Sequence, residues 1–360
     1  VTFMDEIIIP SPPVDFNRNR RSFALFRGIW LPLAGGKRII KISVDSAPRV
    51  WPRRPPKIAR KRAGADRPRR RLSGARTGQN QCRGDLPMKS KAALFFEGMK
   101  GKTVSFVGAG VSHFDCIRLF REKGIRVLVR DRAGREKMGE TADRLEAMGV
   151  SLILGEGYLQ DICEDVLFRT PGMKFYTPEL TEARARGVVV TSEMEVFFAL
   201  CPCRIIGVTG SDGKTTSTTI LSEFLKAEGK TVHLGGNIGR ALLPIVEEIG
   251  PEDFAVVGLS SFQLISMRQS PDIAVLTNVA PNHLDMHKDM QEYIDAKRNI
   301  LLHQDAFSRT VLNFHNDITR SFAEGVRGDL YWFDRFAPVA RGAFLNEEGV
   351  LCMAHGAGVH

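Results

Sequence analysis

The stretch from Ile205 to Ala227 constrains this chain more than any other. Ile205-Ile206-Gly207-Val208-Thr209 reads as a buried strand, which runs into Gly210-Ser211-Asp212-Gly213-Lys214-Thr215-Thr216 and then into a helical pattern ending near Ala227. Glycines at such a turn let the backbone curl so that several N–H groups face one anion, and the start of the following helix adds positive potential. Lys214 has the reach to meet the outer phosphates of a nucleotide, and the Thr215 hydroxyl can ligate Mg2+. The loop is shorter than the common G-x-x-x-x-G-K-[ST] spacing, because Gly207 does not fit the place of the first glycine. The plain alternative is a glycine turn that binds nothing. Strand, Gly-Lys-Thr-Thr and helix in succession argue against it, so Gly210, Ser211, Asp212, Gly213, Lys214, Thr215 and Thr216 are the candidate phosphate-binding residues.

Strands and helices alternate on both sides of this loop. Thr103–Val107 is a strand, followed by a helical pattern from about Phe114 to Lys123 and a second strand, Ile125–Val129. A helix near 140–148, strands near 151–154 and 165–168, a helix near 179–186 and a strand at 188–190 continue the pattern, and further strands fall near 254–257, 273–277 and 309–312. Such alternation predicts an α/β fold with parallel sheets and crossover helices. The expected organisation is a Rossmann-like parallel-sheet domain over 88–201 and a P-loop domain over 202–360. With 43% hydrophobic residues the chain can bury a sizeable core, and no apolar run is long enough to span a membrane.

A second glycine turn, Gly108-Ala109-Gly110-Val111-Ser112-His113, also follows a strand and opens a helix, with Asp131 about 20 residues on. His113 stands where a third glycine would complete G-x-G-x-x-G, so this motif alone leaves a plain tight turn open. The six cysteines, Cys82, Cys116, Cys163, Cys201, Cys203 and Cys352, have no framework spacing, and a reduced, cytoplasmic protein is the simpler reading.

Charge is distributed unevenly. Residues 1–87 hold 20 Lys/Arg against 6 Asp/Glu, a local +14 in a chain of net +10, which leaves 88–360 at −4. Runs such as Arg67-Pro68-Arg69-Arg70-Arg71 repel themselves and lack apolar periodicity, so this head is expected to be disordered. Three readings of it stay open: a tail for nucleic acid or another anionic surface, a targeting segment around Asn19-Arg20-Arg21-Ser22-Phe23-Ala24-Leu25, or an over-extended reading frame. The orderly sequence that follows Met88 favours the last, with the natural start at Met88.

Taken in order, the motifs resemble those of the Mur ligase family. The resemblance is carried by Gly210–Thr216, then Gly235-Gly236-Asn237-Ile238-Gly239, then Leu259-Ser260-Ser261-Phe262-Gln263-Leu264. Thr277-Asn278-Val279 with His283-Leu284-Asp285 follows, and then Tyr293-Ile294-Asp295-Ala296-Lys297. It covers about 88–360, the first two of the family's three domains, and the second and third motifs point to the D-glutamate-adding member. The resemblance implies an ATP-dependent amide ligase of peptidoglycan precursor synthesis. ATP would phosphorylate the alanyl carboxylate of UDP-N-acetylmuramoyl-L-alanine, and the D-glutamate amine would displace phosphate from the acyl phosphate. It also implies residue roles, with Lys214, Asn237, His283 and Lys297 as the catalytic set. Thr215, His283 and a carbamylated Lys297 would hold Mg2+. Gly108, Gly110, Ser112, His113, Asp131 and Arg132 would bind the UDP group, beside Thr170, Pro171 and Gly172, in a cytoplasmic monomer. Without the resemblance, Lys297 reads as a solvated helix lysine, and Arg169 and Arg186 read as solvated charges.

Two departures bear on activity. The family carries an acidic residue just before L-S-S-F-Q-L, and here that position is Gly258, which has no side-chain oxygen to offer a metal. The resemblance also stops at His360, ahead of the family's third domain, so the expectation is a chain that binds substrate and nucleotide but catalyses weakly or not at all. The alternatives are another Mur or folylpolyglutamate-type ligase, and a nucleic-acid-associated NTPase that uses the basic head.

Overall fold

The computed structural model describes residues 89–360, apart from 238–239, 283–285, 356–357 and 360 and the side chains of 111, 112, 358 and 359. The basic head therefore lies outside the described residues. Everything described belongs to one compact unit, Gln79–His360.

Two sheets organise it. The first holds β1 (Thr103–Val107), β2 (Arg126–Asp131), β3 (Ser151–Leu154), β4 (Val166–Phe168) and β5 (Val189–Thr191), all parallel, in the order β3-β2-β1-β4-β5. Around it lie α1 (Lys91–Met99), α2 (Val111–Glu122), α3 (Arg135–Met138), α4 (Glu140–Ala147), α5 (Pro178–Ala185) and α6 (Glu193–Leu200). The strand order reverses at β1, which leaves a crevice outside the carboxyl ends of β1 and β4, where ligands of such sheets bind.

The second sheet begins with β6 (Arg204–Thr209), which leads through the phosphate loop into α7 (Lys214–Ala227). It continues with β7 (Val232–Gly236), β8 (Phe254–Gly258), α8 (Ser261–Leu264), β9 (Ile273–Leu276), α9 (Met290–Leu302), β10 (Arg309–Asn313), α10 (Asp317–Ser321) and β11 (Asp329–Asp334). β12 (Gly342–Leu345), β13 (Leu351–His355) and β14 (Gly358–Val359) complete the order β14-β13-β12-β11-β10-β9-β6-β8-β7. Pairing is parallel from β7 across to β12 and antiparallel at β13 and β14. The phosphate loop thus leaves a strand flanked on both sides.

One buried cluster runs through both sheets, from Phe96, Phe106 and Phe120 through Met194 and Phe197 to Leu242, Leu276 and Phe322. Aromatic packing sets its first half: the Phe106 and Phe168 rings stack at 4.6 Å, and Phe120 meets both edge-on. The second half brackets β6 with Ala255, Val257 and Ala274 from its neighbouring strands.

The expected strands and helices fall within a few residues of their observed bounds. Helix α2 begins three residues early, at Val111, because Gly110 already serves as its N-cap. β7, α6 and α1 are among the elements that had no expectation, each for a physical reason. β7 ends in Gly235-Gly236, which reads as a turn, and glycine weakens a strand in isolation. α6 is apolar nearly all round and so lacks the stripe that marks a surface helix. α1 is a short helix capped by the Ser90 side chain.

Candidate functional site

The phosphate loop is built by its glycines and held from the next strand over. Gly213 adopts φ +78° and caps α7, a conformation a side chain would strain. Gly210 lies so close to the β9 exit that a Cβ there would overlap Thr277 Oγ1 and come within 3.1 Å of the backbone N and O of Asn278. Four hydrogen bonds close this contact: Ser211 N–H to Asn278 O at 2.9 Å, Asp212 N–H to Asn278 Oδ1 at 3.1 Å, and Thr277 Oγ1 and Asn278 Nδ2 to Asp212 O at 2.6 and 3.1 Å. The Thr277-Asn278 motif therefore buttresses the loop. Ser211 Oγ is buried, bonded to Ala280 O and to the Tyr293 hydroxyl, each at 2.9 Å.

Two lysines meet on one carbonyl. Lys214 Nζ donates to Gly210 O at 2.7 Å and Ser211 O at 2.9 Å, and Lys297 Nζ donates to the same Gly210 O at 2.8 Å. Lys297 is 1% exposed, on the buried face of α9 with Tyr293, Ala296, Ile300 and Leu301. That corrects the reading of a solvated helix lysine. Burial, and then the neighbouring Lys214 charge, lower its pKa to about 7, against the opposing pull of Asp212. Lys214 is also lowered by burial, with Asp212 opposing. A half-neutral, buried amine beside a phosphate cradle is chemically unusual, and perturbed groups of this kind cluster at functional sites.

Among the described residues, no group of three or more His, Cys, Asp or Glu could hold a metal ion. The exposed side-chain oxygens of the loop are those of Asp212, Thr215 and Thr216, and Gly258 adds none. These residues do not form a cage for Mg2+; they suit an ion that arrives already bound to nucleotide phosphates, as Mg2+ commonly does. His283 lies outside the described residues.

A cleft of about 780 Å³ opens at the switch point of the first sheet. It is lined by Gly108, Asp131, Arg132, Thr170 and Gly172, five of the expected UDP-binding residues. Asp131 is oriented by accepting the Ala109 and Ala133 N–H groups at 3.2 and 2.8 Å, and Gly108 turns at φ +83°. Tyr176, 65% exposed, and Phe175 form an aromatic lip, while Phe262 and His287 close the far side. His287 had no expectation: it is buried, stacked on Phe262 at 5.2 Å and bonded to Ser261 Oγ at 2.9 Å. Its only sequence signal is a spacing of four from His283.

His113, Pro171 and Asn237 instead share a smaller cavity of about 90 Å³ with Ser192, Glu193 and Gln263. His113 is buried, with Nδ1 2.9 Å from Gly108 O, and burial lowers its pKa. Glu193 accepts the Leu242 and Leu243 N–H groups, and burial raises its pKa to about 7 despite those bonds. Asn237 is exposed, with its backbone N–H bonded to Gly258 O at 2.7 Å. Gly110 caps α2, and the Ser112 side chain lies outside the described residues. Arg186 is exposed as expected, whereas Arg169 is 1% exposed and hydrogen-bonded across the two sheets, which corrects its reading as a solvated charge. A guanidinium at the end of a short strand gives no sequence signal of burial when two of its acceptors lie more than 90 residues away.

A flanked strand, a glycine loop whose amides curl at a helix start, and a lysine inside the loop define a phosphate-binding module of the P-loop class. Residues 208–332 match the Mur ligase middle domain. The chain is 47% identical over 262 residues to a UDP-N-acetylmuramoylalanine--D-glutamate ligase of Acetivibrio thermocellus, covering 72% of this chain and 56% of that one. A protein of the same name from Ruminiclostridium cellulolyticum is 43% identical over 256 residues, covering 71% and 55%. The chain spans about half the length of the curated relatives it matches. Among solved structures, a UDP-N-acetylmuramate:L-alanyl-gamma-D-glutamyl-meso-diaminopimelate ligase from Neisseria meningitides aligns with a TM-score of 0.47 and 17% identity, over 72% of this chain and 85% of that one. Among the described residues no helix is long and apolar enough to cross a membrane.

Proposed function

We propose that this chain binds ATP at Gly210–Thr216 and UDP-N-acetylmuramoyl-L-alanine in the cleft beside Asp131, and serves the addition of D-glutamate through an acyl phosphate. The observation that carries the reading is the meeting of Lys214 and Lys297 on Gly210 O inside a loop shaped for phosphate. The names of the matched relatives supply the amino acid and the sugar nucleotide.

The residues suggest a sequence of events. Lys214 leaves the Gly210 and Ser211 carbonyls for the outer phosphates of MgATP, and Gly210 O keeps Lys297 as its donor, so that carbonyl is not orphaned. The Lys214 charge then offsets the negative charge that spreads over the transferring phosphoryl group. Lys297, in its neutral form, can add carbon dioxide and release a proton; the resulting carbamate provides the carboxylate that Gly258 does not. Asn237 lines the small cavity with His113 and Gln263, and its amide would offer hydrogen bonds to a substrate carboxylate there. A monomer working in the cytoplasm, where ATP and UDP-sugars are found, is part of this reading.

Equilibrium titration of the 360-residue chain tests it. UDP-N-acetylmuramoyl-L-alanine and an unreactive MgATP analogue are each expected to bind with micromolar affinity, and folate substrates are not. Binding of folate in preference to the UDP compound would transfer the chain to the folylpolyglutamate type. Failure to bind any nucleotide would end the reading.

Gly258 gives a second test. It closes β8, in register with Val208 and Gly236 on either side. In an otherwise complete enzyme, Gly258→Glu is expected to raise ATP turnover at least about tenfold, as phosphate release, by adding a carboxylate that could help hold Mg2+. Unchanged turnover would remove Gly258 from the account.

A further inference from the structure

Arg169 follows β4 directly and is 1% exposed, yet none of the roles above uses it. Its guanidinium reaches in two directions. Nη1 donates to Met173 O at 3.3 Å, on the segment that begins the cleft wall. Nη2 donates to Phe262 O at 2.7 Å and Ser266 Oγ at 2.8 Å, in and just after α8, which belongs to the other sheet. The carboxylate that balances this buried charge is reached only through a hydroxyl: Ser266 Oγ donates to Glu195 Oε2 at 3.0 Å, and Ser192 Oγ donates to the same oxygen at 2.8 Å. On the cleft side, the Phe175 ring lies between two guanidinium groups, 5.4 Å from Arg169 Cζ and 4.5 Å from Arg184 Cζ.

A charge held this way is a poor device for stability alone. Removing an ion from water is costly, and apolar residues of similar volume commonly do as well or better, so its return is in geometry. The planar fork of arginine can fix three acceptors at set angles, which a lysine ammonium cannot. The acceptors fixed here are the cleft wall on one side and α8 on the other. Helix α8 has four residues and is held at its start by the reciprocal Ser260–Gln263 capping bonds, so without Arg169 its far end would have few ties to the first sheet.

We propose that Arg169 is a positioning residue, which sets the 170–178 wall of the cleft against α8 and so holds the cleft open at the width of a UDP group. The proposal rests on the function given above, in that the cleft takes UDP.

The test is a pair of titrations on the full 360-residue chain, with UDP and separately with ADP, for the unaltered protein, Arg169→Lys and Ser266→Ala. Arg169→Lys is expected to weaken UDP binding about tenfold and to leave ADP binding at the phosphate loop within twofold. Ser266→Ala keeps the Phe262 and Met173 contacts and is expected to weaken UDP about threefold. Equal UDP affinity in Arg169→Lys and the unaltered protein would overturn the proposal, as would parallel loss of UDP and ADP, the pattern of a purely structural residue. If Arg169→Lys does not fold, Ser266→Ala decides: unchanged UDP affinity overturns the proposal, and selective weakening supports it. Absence of UDP binding by the unaltered protein would refute the cleft's assignment and this inference with it, whereas binding that no variant changes refutes only the inference.

Discussion

Lys297→Met is expected to make the protein more stable at neutral and acidic pH while removing the amine on which the proposed carbamate would form. The amine is buried in α9 and its pKa is lowered to about 7, so the folded state gives up this proton near neutrality while the unfolded chain keeps it to about 10.5. Between those values the unfolded state holds more protons, and stability must rise with pH; below about 7 the full penalty is present. A shift of this size corresponds to a penalty of about 5 kcal/mol. Methionine fills a similar volume without a charge, and Gly210 O retains the Lys214 ammonium as donor at 2.7 Å, so no buried acceptor is left bare. A net gain of about 3 kcal/mol in urea denaturation at pH 6 is therefore expected, shrinking as pH rises toward 9.5. The pH slope itself should flatten in the variant. A second readout separates chemistry from stability: bicarbonate added at pH 8 should strengthen Mg2+-dependent binding of an ATP analogue in the unaltered protein and do nothing in Lys297→Met. A variant that is less stable at pH 6, with the slope retained, would show that the amine is not buried in its neutral form.

The burial of Lys297 was legible in principle. Tyr293, Ala296, Lys297, Ile300 and Leu301 recur at helical spacing, and all five lie on the buried face of α9. A lysine in the middle of an apolar stripe is the sequence trace of a buried amine. The phosphate loop was legible for a different reason: its chemistry is local, with strand, glycines, lysine and helix contiguous between Ile205 and Ala227. Parallel strands buried on both faces, such as β6 and β8, announce themselves as apolar runs.

What was hidden is what depends on distant partners. Arg169 bonds residues 93 and 97 positions away, and no periodicity marks a charge whose partners arrive from another sheet. Glu193 is similar: its carboxylate anchors the Leu242 and Leu243 amides, which follow the Gly235–Gly239 motif, some 50 residues on. The motif Leu259–Leu264 was read as a carrier of the family resemblance, and its own residues supply the internal caps of α8, Ser260 on the Gln263 amide and Gln263 on the Ser260 amide. Gln263 also lines the small cavity with Asn237, so one side chain both caps a helix and faces a cavity. Such double use is why a motif can be recognised long before its parts can be assigned.

Gly210→Ala is expected to cost the phosphate loop its function through sterics alone. The added Cβ would overlap Thr277 Oγ1, and turning that hydroxyl away would still leave the Cβ 3.1 Å from both N and O of the Asn278 backbone. Backbone atoms of a buttressing strand exit cannot yield as a flexible side chain can, so the loop must move instead. Moving it breaks the bonds from Ser211 N–H to Asn278 O and from Thr277 Oγ1 to Asp212 O, and takes the curled amides off their common focus. Loss of two charge-assisted bonds to phosphate predicts an ADP affinity reduced on the order of a hundredfold. Gly98→Ala is the control: its Cβ meets nothing within 4 Å in α1, and ADP affinity should be unchanged. Adding Thr277→Ala to Gly210→Ala removes the hydroxyl overlap but not the two backbone contacts, so only part of the affinity should return. Full ADP affinity in Gly210→Ala would mean that phosphate is held somewhere other than this loop, and the ligase reading would lose the site on which it stands.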